Sequence, residues 1–109
     1  QLNPTSRPRI AEVRLVGSGF DLVANEPGIH SLGRSVDSGL RLNHATVSRH
    51  HARLILTEDR ASALIQDLGG ANGTLLNGAL LKKAEPLGEG DLVQLGDVKL
   101  LAHILLQPR

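Results

Sequence analysis

Apolar positions along the chain fall in short runs at 12–16, 20–25, 29–33, 40–42, 51–57, 62–67, 74–76, 79–82, 91–95 and 98–107. Turn residues break them: Gly17-Ser18-Gly19, Pro27-Gly28, Gly69-Gly70, Asn77-Gly78, Gly88-Glu89-Gly90 and Gly96-Asp97. Breaks this frequent leave little room for a helix of ordinary length, so each run is predicted to be a strand. Within 51–57, Ala52, Leu54 and Leu56 alternate with other residues, the period of a strand with one buried face. Asn77-Gly78 between two apolar runs predicts a hairpin, because both central residues of a type I′ turn need positive φ. Run 98–107 is more continuously apolar, which predicts burial on both sides or cover over a sandwich edge. Many short strands at even spacing predict two packed antiparallel sheets, as a sandwich or a barrel.

Composition narrows the picture. A chain of 109 residues with 40% hydrophobic content suits one globular domain. Phe20 is its one Phe, Tyr or Trp, so the core must be aliphatic. Base stacking on aromatic platforms, which single-stranded nucleic acid binding uses, is disfavoured. A formal net charge of +1 gives no strong field for DNA or for an anionic membrane. Neither nucleic acid nor membrane is therefore expected as a partner. Cysteine is absent, which removes disulfides and thiolate metal sites. The chain shows no transmembrane-length run and no signal-peptide pattern, and a cytoplasmic location is expected. Without Met, it reads as a fragment of a larger protein. Residues 1–11 read as an arm or linker, with Pro4 and Pro8 among polar neighbours, and 12–107 as the domain.

Charge is uneven in one place. Arg34, Arg41, Arg49 and Arg53, with His44, His50 and His51, lie within 34–53. A local anion site on a near-neutral domain is the reading this suggests.

Three motifs occupy predicted loops in order: Gly33-Arg34, then Ser48-Arg49-His50-His51, then Asp67-Leu68-Gly69-Gly70-Ala71-Asn72-Gly73-Thr74-Leu75-Leu76-Asn77-Gly78. Together they resemble the forkhead-associated (FHA) domain family, with its Gly-Arg, Ser-x-x-His and Asn-Gly-Thr-x-x-Asn-Gly. Leu87-Gly88-Glu89-Gly90-Asp91 resembles the family's C-terminal half. The resemblance implies an all-β, FHA-like (SMAD/FHA) sandwich of about eleven strands in two antiparallel sheets, with ligand loops at one end. It also implies a module that recognises phosphothreonine in an extended peptide, in Ser/Thr kinase signalling. The partner would be a phosphothreonine-containing protein, such as a Ser/Thr kinase or its substrate, with no cofactor and no metal.

By the same resemblance, Arg34, Ser48 and Arg49 hold the phosphate. A phosphate near neutral pH carries close to two charges and three strong acceptors. Arginine suits it through a planar, permanently charged guanidinium. Asn72 would pair with the peptide backbone, since an amide both donates and accepts, and Asn77 would hold the adjoining loop or turn, with a peptide contact as its second expected role. Gly33, His51 and Gly73 would support the loops, His51 by hydrogen bonding and the glycines by permitting turns. Thr46 sits where the family tunes selectivity, and it is uncharged. The family often carries hydroxyl residues where this chain has Gly70 and Ala71. A missing neutral hydrogen bond, worth about 0.5–1.5 kcal/mol, predicts binding weaker by roughly two- to tenfold.

Other chemistries fit less well. Ser48 and His51 with Asp67 or Asp37 lack a Gly-x-Ser-x-Gly elbow and an oxyanion hole, so the chain is not expected to be an enzyme. His50 and His51 are adjacent and point to opposite faces of an extended segment, which opposes a shared metal ion. Asn72-Gly73-Thr74 matches a glycosylation acceptor, but no secretory signal accompanies it. An assembly module of the same fold, binding a partner without phosphate, is the alternative from another class.

Overall fold

A computed structural model describes residues 8–108. These residues form eleven strands: β1 (Ile10–Gly17), β2 (Phe20–Ala24), β3 (Gly28–Gly33), β4 (Leu40–Arg41), β5 (Ala52–Leu56), β6 (Ala63–Asp67), β7 (Thr74–Leu76), β8 (Ala79–Leu80), β9 (Glu85–Pro86), β10 (Leu92–Leu95) and β11 (Val98–Leu106). One sheet runs β2-β1-β11-β10-β7-β8 and the other β4-β3-β5-β6-β9. Of the sandwich and the barrel that the pattern left open, the fold is the all-β sandwich that the resemblance implies. Among the described residues there is no helix able to cross a membrane.

The core lies between the sheets and is built from Leu, Ile, Val and Ala. Strand β5 shows how: Ala52, Leu54 and Leu56 point inward and are at most 1% exposed. Fully burying a Leu such as Leu54 contributes about 1.5–3 kcal/mol. The 74–80 hairpin also follows its turn signal, with Asn77 at φ 51° and Gly78 at φ 85°.

Four details differ from the pattern. Strand β11 alternates, burying Val98, Leu100 and Ala102 while Leu101, Leu105 and Leu106 face out. It is paired with β1 and β10 inside its sheet, so only one of its faces meets the core. Strand β9 had no signal, being two residues that include a proline; it pairs with β6 through Ile65 and Leu64. The sheets are not purely antiparallel, because β3 and β4 run parallel, Leu32 beside Leu40 and Gly33 beside Arg41.

Finally, β1 begins at Ile10 rather than after residue 11. Ile10 is buried, and its N–H donates to the Arg60 carbonyl at 2.7 Å. The Arg60 guanidinium donates in turn to the carbonyls of Ile10, Ala11 and Asn25 at 2.9–3.1 Å. Residues 1–7 of the expected arm lie outside the described residues.

Candidate functional site

Strand β3 ends in Gly33, and the chain beyond it is gripped from both sides. On one side, Arg34 N–H donates to Ser48 O at 3.0 Å and Ser35 N–H to Arg49 O at 3.2 Å. On the other, Leu42 N–H donates to Gly33 O at 2.8 Å. Gly33 has no positive φ. Glycine is needed there because a Cβ would strike the carbonyl of Arg49. Close approach, not a special turn, is its contribution.

This pairing puts Arg34 beside the consecutive pair Ser48-Arg49, which follows it only after an intervening loop and strand. The Arg34 Nε donates to the Val47 carbonyl at 3.0 Å, which fixes the exposed guanidinium and leaves its terminal nitrogens with no partner among the described residues. Arg49 is exposed beside it. No ion pair among the described residues neutralises either arginine.

His51 ties this segment to the 68–73 loop. It is 0% exposed. Its Nδ1 accepts the Ser48 N–H at 3.0 Å. The other ring nitrogen must then carry the proton of the neutral ring, and it donates to the Gly73 carbonyl at 2.6 Å. Gly73 itself sits at φ 68°, in the left-handed region that favours glycine.

The Ser48 hydroxyl oxygen accepts the Ala71 N–H at 3.1 Å. Its own proton remains available to donate. Gly70 fits against the same pair. A Cβ on it would lie 3.0 Å from Ser48 Oγ and 3.1 Å from the His51 ring. A side chain at 70 would press on both residues, and the bond that closes the loop on Ser48 comes from the backbone of Ala71.

Asn72 is exposed, and its Nδ2 donates to the Thr46 carbonyl at 2.9 Å. Among the described residues its Oδ1 remains free to accept from a ligand, and the second N–H of Nδ2 to donate to one. Thr46 is a hub: its Oγ1 accepts the Asp97 N–H at 2.8 Å and also meets His44 Nδ1 at 2.9 Å.

Asn77 holds the adjoining turn, as the resemblance implies. Its Nδ2 donates to Asp91 at 3.0 Å and its Oδ1 accepts the Leu92 N–H at 2.8 Å. Both amide atoms are used inside the fold. The residue also lies past the far end of β7 from Thr74, about 10 Å away at strand spacing. It braces the 88–91 turn.

Two residues to which the sequence assigned no role in the site complete the frame. Asp67 Oδ1 accepts the hydroxyl proton of buried Thr74 at 2.7 Å, and Oδ2 accepts the Gly69 N–H at 2.8 Å. An Asp two residues before a glycine is an Asx-turn signal that could have found this. Arg41, noted above only as part of the basic segment, is the other: its Nε donates to the Arg34 carbonyl at 3.1 Å.

The FHA family model matches residues 30–96, which spans Gly33, Arg34, Ser48, Arg49, His51, Asn72 and Gly73. The chain belongs to the FHA domain family. It is 32% identical over 95 residues to the human angiogenic factor with G patch and FHA domains 1, covering 82% of this chain and 13% of that protein. The solution structure of an Arabidopsis thaliana FHA domain superposes with a TM-score of 0.80 at 29% identity, covering 100% of this chain and 98% of that one. A second solved chain, from a structural and functional study of phosphothreonine-dependent FHA domain interactions, has a TM-score of 0.74 at 32% identity. That match covers 90% of this chain and 99% of the other.

Proposed function

We propose that this domain, residues 12–107 with β1 included from Ile10, binds phosphothreonine in protein segments and is not itself an enzyme. Arg34 and Arg49 supply charge, and the Ser48 hydroxyl supplies a compact donor. Asn72 Oδ1 accepts from the backbone of the bound peptide. The partner is a phosphothreonine-bearing protein of a Ser/Thr kinase pathway, met in the cytoplasm.

One observation carries this reading. Arg34 and Ser48 are each held by a hydrogen bond at one atom, to Val47 O and from Ala71 N, and each keeps donors unspent. Fixing the donors beforehand reduces the entropy lost when an anion binds. The study of phosphothreonine-dependent FHA interactions, cited above for its 32% identical domain, supports the same ligand.

Amide chemical-shift mapping tests the placement. A phosphothreonine peptide should move the signals of Arg34, Ser48, Arg49 and Ala71 and leave those of Arg60 and Asn77 in place. Shifts centred on Asn77 or Arg60 instead would contradict the assignment.

A further inference from the structure

The site contains one more arginine than phosphate recognition uses. Segment 33–51 carries Arg34, Arg41 and Arg49 against a single carboxylate, Asp37. The ion pairs among the described residues are Arg14 with Glu12 and Asp21, and His103 with Glu89, so none of the three arginines is in one. Three like charges gathered against one acid repel each other on balance, and a bound anion relieves that repulsion.

Arg41 is exposed but anchored. The parallel β3–β4 register sets it beside Gly33, and its Nε donates to the Arg34 carbonyl at 3.1 Å. Its terminal nitrogens have no partner among the described residues. The same residue, Arg34, thus accepts from Arg41 with its carbonyl and reaches Val47 with its side chain. From bond lengths alone, the two guanidinium groups lie within about 12 Å of each other. An extended peptide advances about 3.3 Å per residue, so that span corresponds to about four residues or fewer. Thr46 is a poor source of charge selectivity: it is uncharged, and its hydroxyl is engaged by Asp97 and His44.

We propose that Arg41 is a specificity-determining residue that binds a second acidic group of the ligand, within about four residues of the phosphothreonine. The group is a carboxylate or a second phosphate. This rests on the phosphothreonine reading above.

The test uses one phosphothreonine peptide in three forms: neutral flanks, Glu scanned through four flanking positions on each side, and phosphothreonine scanned through the same positions. Each is titrated at low salt against the wild-type chain, Arg41→Gln and Arg34→Ala. Glutamine keeps an N–H donor toward the Arg34 carbonyl without the charge, so a lost fold does not confuse the result. The wild type should favour an acidic flank by roughly three- to tenfold over neutral flanks. Arg41→Gln should bring that ratio to about one, and added salt should shrink it in the wild type. The relative gain from Glu and from the second phosphate identifies which acid the site takes. If the preference survives in Arg41→Gln, or if the wild type needs the phosphothreonine but ignores its flanks, the Arg41 proposal falls and the phosphothreonine reading stands. An Arg41→Gln chain that weakens every peptide equally also overturns it, since that is a purely structural effect. If no peptide binds in a phosphate-dependent way, both fall together.

Discussion

The backbone N–H of Ser48 donates to Nδ1 of His51, three residues on, at 3.0 Å. Through that bond the loop presenting the Ser48 hydroxyl is fastened to a fully buried ring, whose other nitrogen reaches Gly73 across the sandwich end. Replacing His51 by Ala leaves the Ser48 N–H and the Gly73 carbonyl without their partner and opens a cavity. A loss of about 2–5 kcal/mol is expected, read by urea denaturation with an unchanged m-value. A loss under about 0.5 kcal/mol would show that the ring does not hold the loops.

Arg34 should behave in the opposite way. Its side chain is exposed, so Arg34→Ala should change stability by about 0.5 kcal/mol or less. Its affinity for a phosphothreonine peptide should fall roughly ten- to hundredfold, the range for charged hydrogen bonds. Arg34→Lys should not restore it, because an ammonium lacks the planar fork. Full rescue by Lys, measured by calorimetric titration, would mean that the site reads charge alone.

Asn77 separates folding from binding. Asn77→Ala removes two hydrogen bonds, to Asp91 and from Leu92, and places Ala at a left-handed φ. Thermal unfolding should show a loss of about 1–3 kcal/mol. Peptide affinity of the folded variant should stay within about twofold of wild type. A selective loss of affinity without loss of stability would restore Asn77 to the peptide site.

Glu89 gives the fold an acid-sensitive point. Its carboxyl is held below the ordinary carboxylate range, first by the Ile104 N–H and then by His103. A depressed pKa in the folded state favours folding above the unfolded-state value and ceases to do so as pH falls through the folded one. Wild type should therefore exceed Glu89→Gln in stability near neutral pH, with the gap closing as pH drops below the unfolded carboxylate range. A gap that widens on acidification, followed by denaturant midpoints across pH, would contradict the sign.

Some of this molecule is readable from its residues, and some depends on partners distant in sequence. Ala52, Leu54 and Leu56 alternate, and their burial follows directly from the period. Asn77-Gly78 states its own turn. Strand β9 has no comparable signal, since Glu85 and Pro86 become a strand only by pairing with β6. Strand β11 looked buried on both faces because Leu101, Leu105 and Leu106 are apolar, yet hydrophobicity alone does not say which face meets a second sheet. In the site, motif order located Arg34, Ser48 and Asn72. The use of Asn77's amide by Asp91, the Arg41–Arg34 contact and the Thr46–Asp97 bond are set by strand pairing and by loops up to 51 residues apart. No local pattern encodes them.

The central claim is phosphate-dependent recognition by Arg34 and Ser48. Its most direct measurement is the affinity of one threonine peptide in phosphorylated and unphosphorylated form, for wild type and Arg34→Ala, at one fixed salt concentration. The account predicts that phosphorylation tightens binding to the wild type by roughly tenfold or more, and that Arg34→Ala removes most of the difference. Equal affinity for both forms, or a difference that survives intact in Arg34→Ala, would contradict it.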